Sequence, residues 1–147
     1  MFKKILVAVD GSGHAAKALD AASDLARHYA ASLSVLSVYR HHSALESTHS
    51  MVRGSEEIDP PDRTLGRLAR EIVDTAVERA KSQGVQVSDG LVKRGPPART
   101  IVRTAEELGV DTIVMGSRGL GDLEGHLLGS VSHKVTSLAK CTCITVK

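Results

Sequence analysis

Apolar residues along this chain follow two alternating patterns. Short continuous runs, the first being Ile5-Leu6-Val7-Ala8-Val9, alternate with stretches whose apolar positions recur every three or four residues. A run apolar at every position predicts a strand buried on both faces, and the three-to-four spacing predicts an amphipathic helix. Strands are expected over 5–9, 33–39, 112–115 and 142–146. A further strand runs through Val85, Val87, Leu91 and Val92, with Asp89-Gly90 as a candidate bulge or turn. The first helix is expected to turn Ala15, Leu19, Ala22, Ala26 and Tyr29 inward. A second carries Leu65, Leu68, Ile72, Ala76 and Ala80 and stops with Gly84 at the C′ position. Gly95-Pro96-Pro97 opens a third, which buries Ile101, Val102, Ala105 and Leu108 and ends at Gly109. The last helix is expected over 130–139. Strand alternating with helix argues for an α/β protein with a parallel sheet covered on both faces. With no internal repeat and no boundary signal, residues 1–147 read as a single domain.

From 40 to 62 the periodicity is lost. His41, His42, His49, Gly54, Pro60 and Pro61 mark a long polar connection, with a helical turn over 43–51. Connections of this length inside a compact domain are usually functional or mobile.

The chemistry concentrates after the fourth strand, where Gly116-Ser117-Arg118-Gly119 is followed, nine residues on, by Gly129-Ser130. Strand, glycine loop and helix start in that order build a cradle of N–H groups for a phosphate chain. Glycines allow the main chain to approach an anion closely, and the helix start adds unpaired donors and a positive dipole end. The first strand ends in Asp10-Gly11-Ser12. If the two strands are neighbours, one crevice at the switch point of the sheet holds both features. Asp10 suits two roles there: binding a ribose hydroxyl or phosphate-bound divalent ion, or shaping the turn and capping the first helix. A Walker-type loop is excluded, since no Gly-Lys-Ser or Gly-Lys-Thr exists. The dinucleotide fingerprint fails as well, because Gly119-x-Gly121 leads to Glu124 where its third glycine belongs.

Composition narrows the partners. Aromatic residues make up only 2% of the chain and Trp is absent, so the core is aliphatic and base-stacking platforms for single strands are lacking. Nineteen basic and 17 acidic residues give a net charge of +2, too balanced for a nucleic-acid partner. The 41% hydrophobic content contains no run long enough to insert in a membrane, and no targeting sequence is evident, so a cytoplasmic location is expected. Cys141 and Cys143, one residue apart on a strand, read as two core-facing thiols rather than a metal or redox site.

The glycine spacing resembles the ATP-binding signature of universal stress proteins, the UspA-like group. Val9-Asp10-Gly11-Ser12, Gly95-Pro96-Pro97-Ala98 and Val114-Met115-Gly116-Ser117-Arg118-Gly119 extend the resemblance over essentially the whole chain. It implies a Rossmann-like, five-stranded parallel sheet in the order 3-2-1-4-5, with ATP at the switch point and Mg2+ or Mn2+ bridging its phosphates. By position it assigns Asp10 to the ribose and phosphate side, and the backbone of Val38 to adenine. Gly116, Arg118, Gly119, Gly129, Ser130 and Val131 match the phosphate cradle, and Val9 and Met115 are expected beside them in the binding site. It also implies a homodimer through the last strand, or a higher oligomer. The segment around Arg40-His41-His42 resembles members associated with TRAP-type solute transporters. Asp122, Glu124 and His126 depart from the basic residues many relatives carry in this loop, leaving Arg118 the main nearby cation.

No dedicated base stands beside the cradle in the sequence, so a nucleotide-binding regulatory protein is expected, with hydrolysis slow enough to act as a timer. The competing readings are a slow ATPase or an autophosphorylating enzyme using Ser117, Ser130 or Ser132, and a transporter-associated regulatory module.

Overall fold

A computed structural model describes residues 1–40, 61–120 and 128–147. The chain alternates β1 (Lys4–Ala8), α1 (Gly13–Tyr29), β2 (Ser32–Tyr39), α2 (Pro61–Ser82), β3 (Val87–Arg94), α3 (Pro97–Leu108), β4 (Thr112–Gly116), α4 (Ser130–Leu138) and β5 (Thr142–Val146). The five strands form one parallel sheet in the order β3-β2-β1-β4-β5, as expected. Strand order reverses at β1, so the switch point lies between β1 and β4.

Alternation along each strand distributes its apolar residues between two cores. Ile5, Val7, Leu33, Val35 and Val114 face α1 and α2. Leu6, Leu36, Ile113 and Met115 face α3 and α4. The continuous apolar runs are thereby explained, since both faces are covered.

Several local features differ from the sequence reading. β1 ends at Ala8: Val9 only donates its N–H to Leu36 O at 2.9 Å, and the chain then leaves the sheet. Val85 lies outside β3, buried behind α2, where its N–H bonds Ala80 O at 3.1 Å and closes the helix around Gly84 in the left-handed region at φ +81°. β3 continues through Asp89 and Gly90. Its register against β2 jumps from Leu33↔Val87 to Ser34↔Asp89, which makes Ser88 the extra, bulged residue. A side chain at Gly90 would lie 3.1 and 3.2 Å from Val73 and Val77, so that glycine admits α2 to the sheet. Tyr29 and Leu68 are about half exposed, not inward. The stripe of α2 that is buried is Ala69, Val73, Ala76 and Ala80, which leaves Leu68 beside it on the solvent side. Cys141 and Cys143 pack against the α3–α4 core and are half-buried, Cys141 preceding the strand; burial pushes both thiols up. The 43–51 turn lies outside the described residues.

Two polar clamps join the elements. Arg79 on α2 donates two hydrogen bonds to Asp20 on α1, at 2.8 and 2.6 Å, and Gln83 adds a third at 2.8 Å. Asp111 accepts from the Lys3 and Lys4 N–H groups at 2.8 and 3.1 Å and from the Thr112 hydroxyl at 2.8 Å, tying β1 to β4. Burial alone would push the Asp111 carboxyl up. The hydrogen bonds and the N-terminal ammonium outweigh it and hold the group below its ordinary range. A carboxyl lowered in the folded state adds stability above its unfolded pKa, and that stability is lost as pH falls through the folded value. Asp111→Asn is accordingly expected to flatten the loss of stability below about pH 4. Urea midpoints at pH 6 and pH 3 test this, and an acid limb identical to that of the unsubstituted protein would refute it.

Candidate functional site

Beyond the carboxyl ends of β1 and β4 lies a crevice of about 380 Å³, floored by strand ends and walled by the starts of α3 and α4. It gathers residues from across the chain. β1 and the turn after it bring Val9 and Asp10, β2 brings Val38, and β4 with its loop brings Met115, Gly116, Arg118 and Gly119. Ser130 and Val131 come from the first turn of α4. Of the ten residues expected in the site, only Gly129 does not line it. The carboxylates and histidine expected at 122, 124 and 126, with His41, His42 and His49, lie outside the described residues.

Asp10 organises the loops. One carboxylate oxygen accepts the Ser12 N–H at 2.9 Å and shapes the turn; the other accepts the Leu120 N–H at 3.3 Å and ties the glycine loop to that turn. Ser12 in turn caps α1 by accepting the Ala15 N–H at 3.1 Å. The turn-forming role of Asp10 is therefore realised, with its carboxylate still on the crevice wall.

Gly116 is needed for a reason different from the one the sequence suggests. A Cβ there would sit 2.8 Å from His14 Cβ, 2.9 Å from the His14 carbonyl carbon and 3.0 Å from the Ala15 nitrogen. Its missing side chain makes room for the start of α1. Gly129 also departs from expectation. Its N–H donates to Ser117 O at 2.6 Å, and its φ of −69° is open to any residue. The amides of Gly129 and Leu120 are therefore satisfied within the protein.

Residues at two other places bring main-chain groups to the crevice wall. α4 has Gly129 at its N-cap with no side-chain cap, and its first helical bond runs from His133 N–H to Gly129 O. The N–H groups of Ser130, Val131 and Ser132 precede that bond and form the positive end of the helix. On the opposite wall, Leu36 O accepts from Val9 and Tyr39 O from Gly95, both at 2.9 Å. Along a strand in a parallel ladder, successive residues direct their backbone groups to opposite neighbours. Val38 therefore directs its N–H and C=O toward the β1 side, past the last β1–β2 bond.

Ser117 joins the parts behind this surface. Its N–H donates to Val146 O at 2.7 Å, its carbonyl accepts from Gly129 N–H and the Ser132 hydroxyl, and its own hydroxyl lies 3.2 Å from His14 Nδ1. Ser117 and Ser132 are buried, so of the three serines weighed as phosphoryl acceptors only Ser130 is exposed. Sequence reasoning missed Leu36, Arg40, Pro97, Ile101, Leu120 and Ser132 as crevice residues. The row Leu36, Val38, Arg40 on one side of β2, and the i, i+4 pair Pro97 and Ile101 on α3, carried a usable signal.

The chain matches the universal stress protein family over residues 1–147. It is 41% identical to the universal stress protein YxiE of Bacillus subtilis over 151 residues, covering 100% of both chains. Among solved structures, the hypothetical protein MJ0577 superposes with a TM-score of 0.81 at 28% identity, covering 100% of this chain and 96% of that one. A universal stress protein in complex with cAMP gives 0.72 at 26% identity, covering 99% and 97%. One from Archaeoglobus fulgidus in complex with dAMP gives 0.67 at 25% identity, covering 100% of each. A whole-length family match, a whole-length relative and a shared sheet order agree: this chain belongs to the universal stress protein family.

Proposed function

We propose that the chain is a nucleotide-binding regulatory protein that takes ATP in the crevice between β1 and β4. One observation supports the reading: Val38 and the first residues of α4, whose main-chain groups could serve a ligand, line the same space. At one wall Val38 offers a donor and an acceptor side by side, the complement of adenine's acceptor–donor edge. At the other, the uncapped start of α4 offers donors and a positive dipole end to anionic oxygens. Arg118 lines the same space and adds fixed positive charge. The relatives solved with cAMP and dAMP support an adenine nucleotide, since both ligands carry that base and a phosphate. Mg2+ or Mn2+, when bridging the phosphates, would offset the charge of the triphosphate.

A regulatory role fits better than rapid turnover. Asp10 is the one carboxylate among the described crevice residues, and both its oxygens already hold main-chain amides. That arrangement suits positioning more than proton abstraction. In the same reading a second copy pairs along β5, an edge strand whose neighbour among the described strands is β4 alone.

A thermal-shift titration with ATP and Mg2+ tests the proposal. A ligand held only by the folded state stabilises it by about 2.7 kcal/mol at a hundredfold excess over Kd. A melting temperature unmoved by millimolar ATP would overturn the reading.

A further inference from the structure

Arg40 stands where no role has yet been given to it. It follows β2 directly and shares the parity of Leu36 and Val38, whose side chains pack on the α3–α4 side of the sheet. All three line the crevice. Tyr39, of opposite parity, lies on the other side, with its ring against Gly66 of α2. Pro97 and Ile101 of α3 line the same crevice as Arg40, and being apolar they cannot neutralise it. The Arg40 side chain is exposed, and among the described residues it makes no hydrogen bond or ion pair. A planar cation thus sits two residues beyond Val38, on the wall of the crevice.

We propose that Arg40 closes the base end by laying its guanidinium plane on the purine ring, sandwiching it against the Pro97–Ile101 wall. This rests on the adenine-nucleotide reading above and adds a specificity-determining residue to it. The chemistry is cation–π stacking, which Arg performs better than Lys because its charge is spread over a plane. The position also explains how a protein with 2% aromatic residues would cover a base face: with Arg in place of an aromatic ring. Arg118, which lines the crevice with Ser130, is left to the phosphate end.

Stacking and phosphate pairing predict different dependence on ligand length. Adenosine, AMP and ATP with Mg2+ are titrated calorimetrically into the unsubstituted protein, Arg40→Ala and Arg40→Lys. Stacking predicts that Arg40→Ala weakens all three ligands by the same factor, about three- to tenfold. Arg40→Lys then recovers little of the loss, and the melting temperature of the ligand-free variants stays unchanged. A loss that grows from adenosine to ATP and is restored by Lys would make Arg40 a phosphate contact and overturn the proposal. Affinities equal to those of the unsubstituted protein would overturn it too. If the unsubstituted protein bound none of the three ligands, the nucleotide reading itself would fall, and this inference with it.

Discussion

Gly116→Val is expected to cost about 3 kcal/mol or more of folding stability, and Gly116→Ala about 2 kcal/mol. The cause lies in what a Cβ would strike. Two of its three nearest atoms belong to the backbone of α1, at 2.9 and 3.0 Å, and cannot swing aside as a side-chain tip would. α1 in turn is packed by Ala15, Ala18, Leu19, Ala22 and Ala26 onto the sheet. Relief would require lifting the start of that helix, and lifting it breaks the Ser12 cap and the His14–Ser117 contact as well. Gly13→Ala supplies the control. No atom lies within 4 Å of a Cβ built there, so that variant is expected to match or slightly exceed the unsubstituted protein. Urea unfolding of the three variants decides the matter; a Gly116→Ala midpoint equal to that of Gly13→Ala would show that the close approach has no energetic weight.

Ser130→Pro is expected to weaken ATP binding by roughly ten- to a hundredfold while leaving the ligand-free protein as stable as before. Ser130 is the first residue of α4, a position where proline is favoured because its missing N–H has no partner inside the helix. The preceding residue must be extended, and Gly129 already is, with φ −69° and ψ 166°. The substitution thus deletes one donor facing the crevice without demanding any movement of the chain. A hydrogen bond to a charged oxygen contributes about 1.5–3 kcal/mol, which sets the expected factor. Ser130→Ala, which removes the hydroxyl and keeps the N–H, separates the two groups and is expected to lose far less. Wild-type affinity in the proline variant would mean that the α4 amides do not hold the phosphates.

Much of this architecture could be read from local signals. Continuous apolar runs located the strands because both faces of the sheet are covered, and Gly84 and Gly109 ended their helices in the left-handed region as placed. The failures share a physical origin in contacts between distant parts of the chain. Helical spacing put Leu68 and Ile72 inward, yet their neighbours Ala69 and Val73 are the buried ones, while Ala76 and Ala80 are buried as expected. The glycine loop gave no sign that Gly116 also admits the start of α1, where His14 lies about a hundred positions earlier in the chain. No local pattern could announce that Gly129 donates to Ser117, or that Asp10 reaches Leu120. For the site itself, nine of the ten expected residues line one crevice; Arg40, Pro97 and Ile101 were missed because they flank the loops that drew attention.

The Ser117–Val146 bond gives the molecule a built-in reporter. That amide belongs to a residue 1% exposed and is held at 2.7 Å by the last residue of β5, so its deuterium uptake is governed by detachment of that strand. The same residue carries the start of α4 on its carbonyl. Isotope exchange at one backbone position therefore reads the integrity of the sheet margin and of the crevice together.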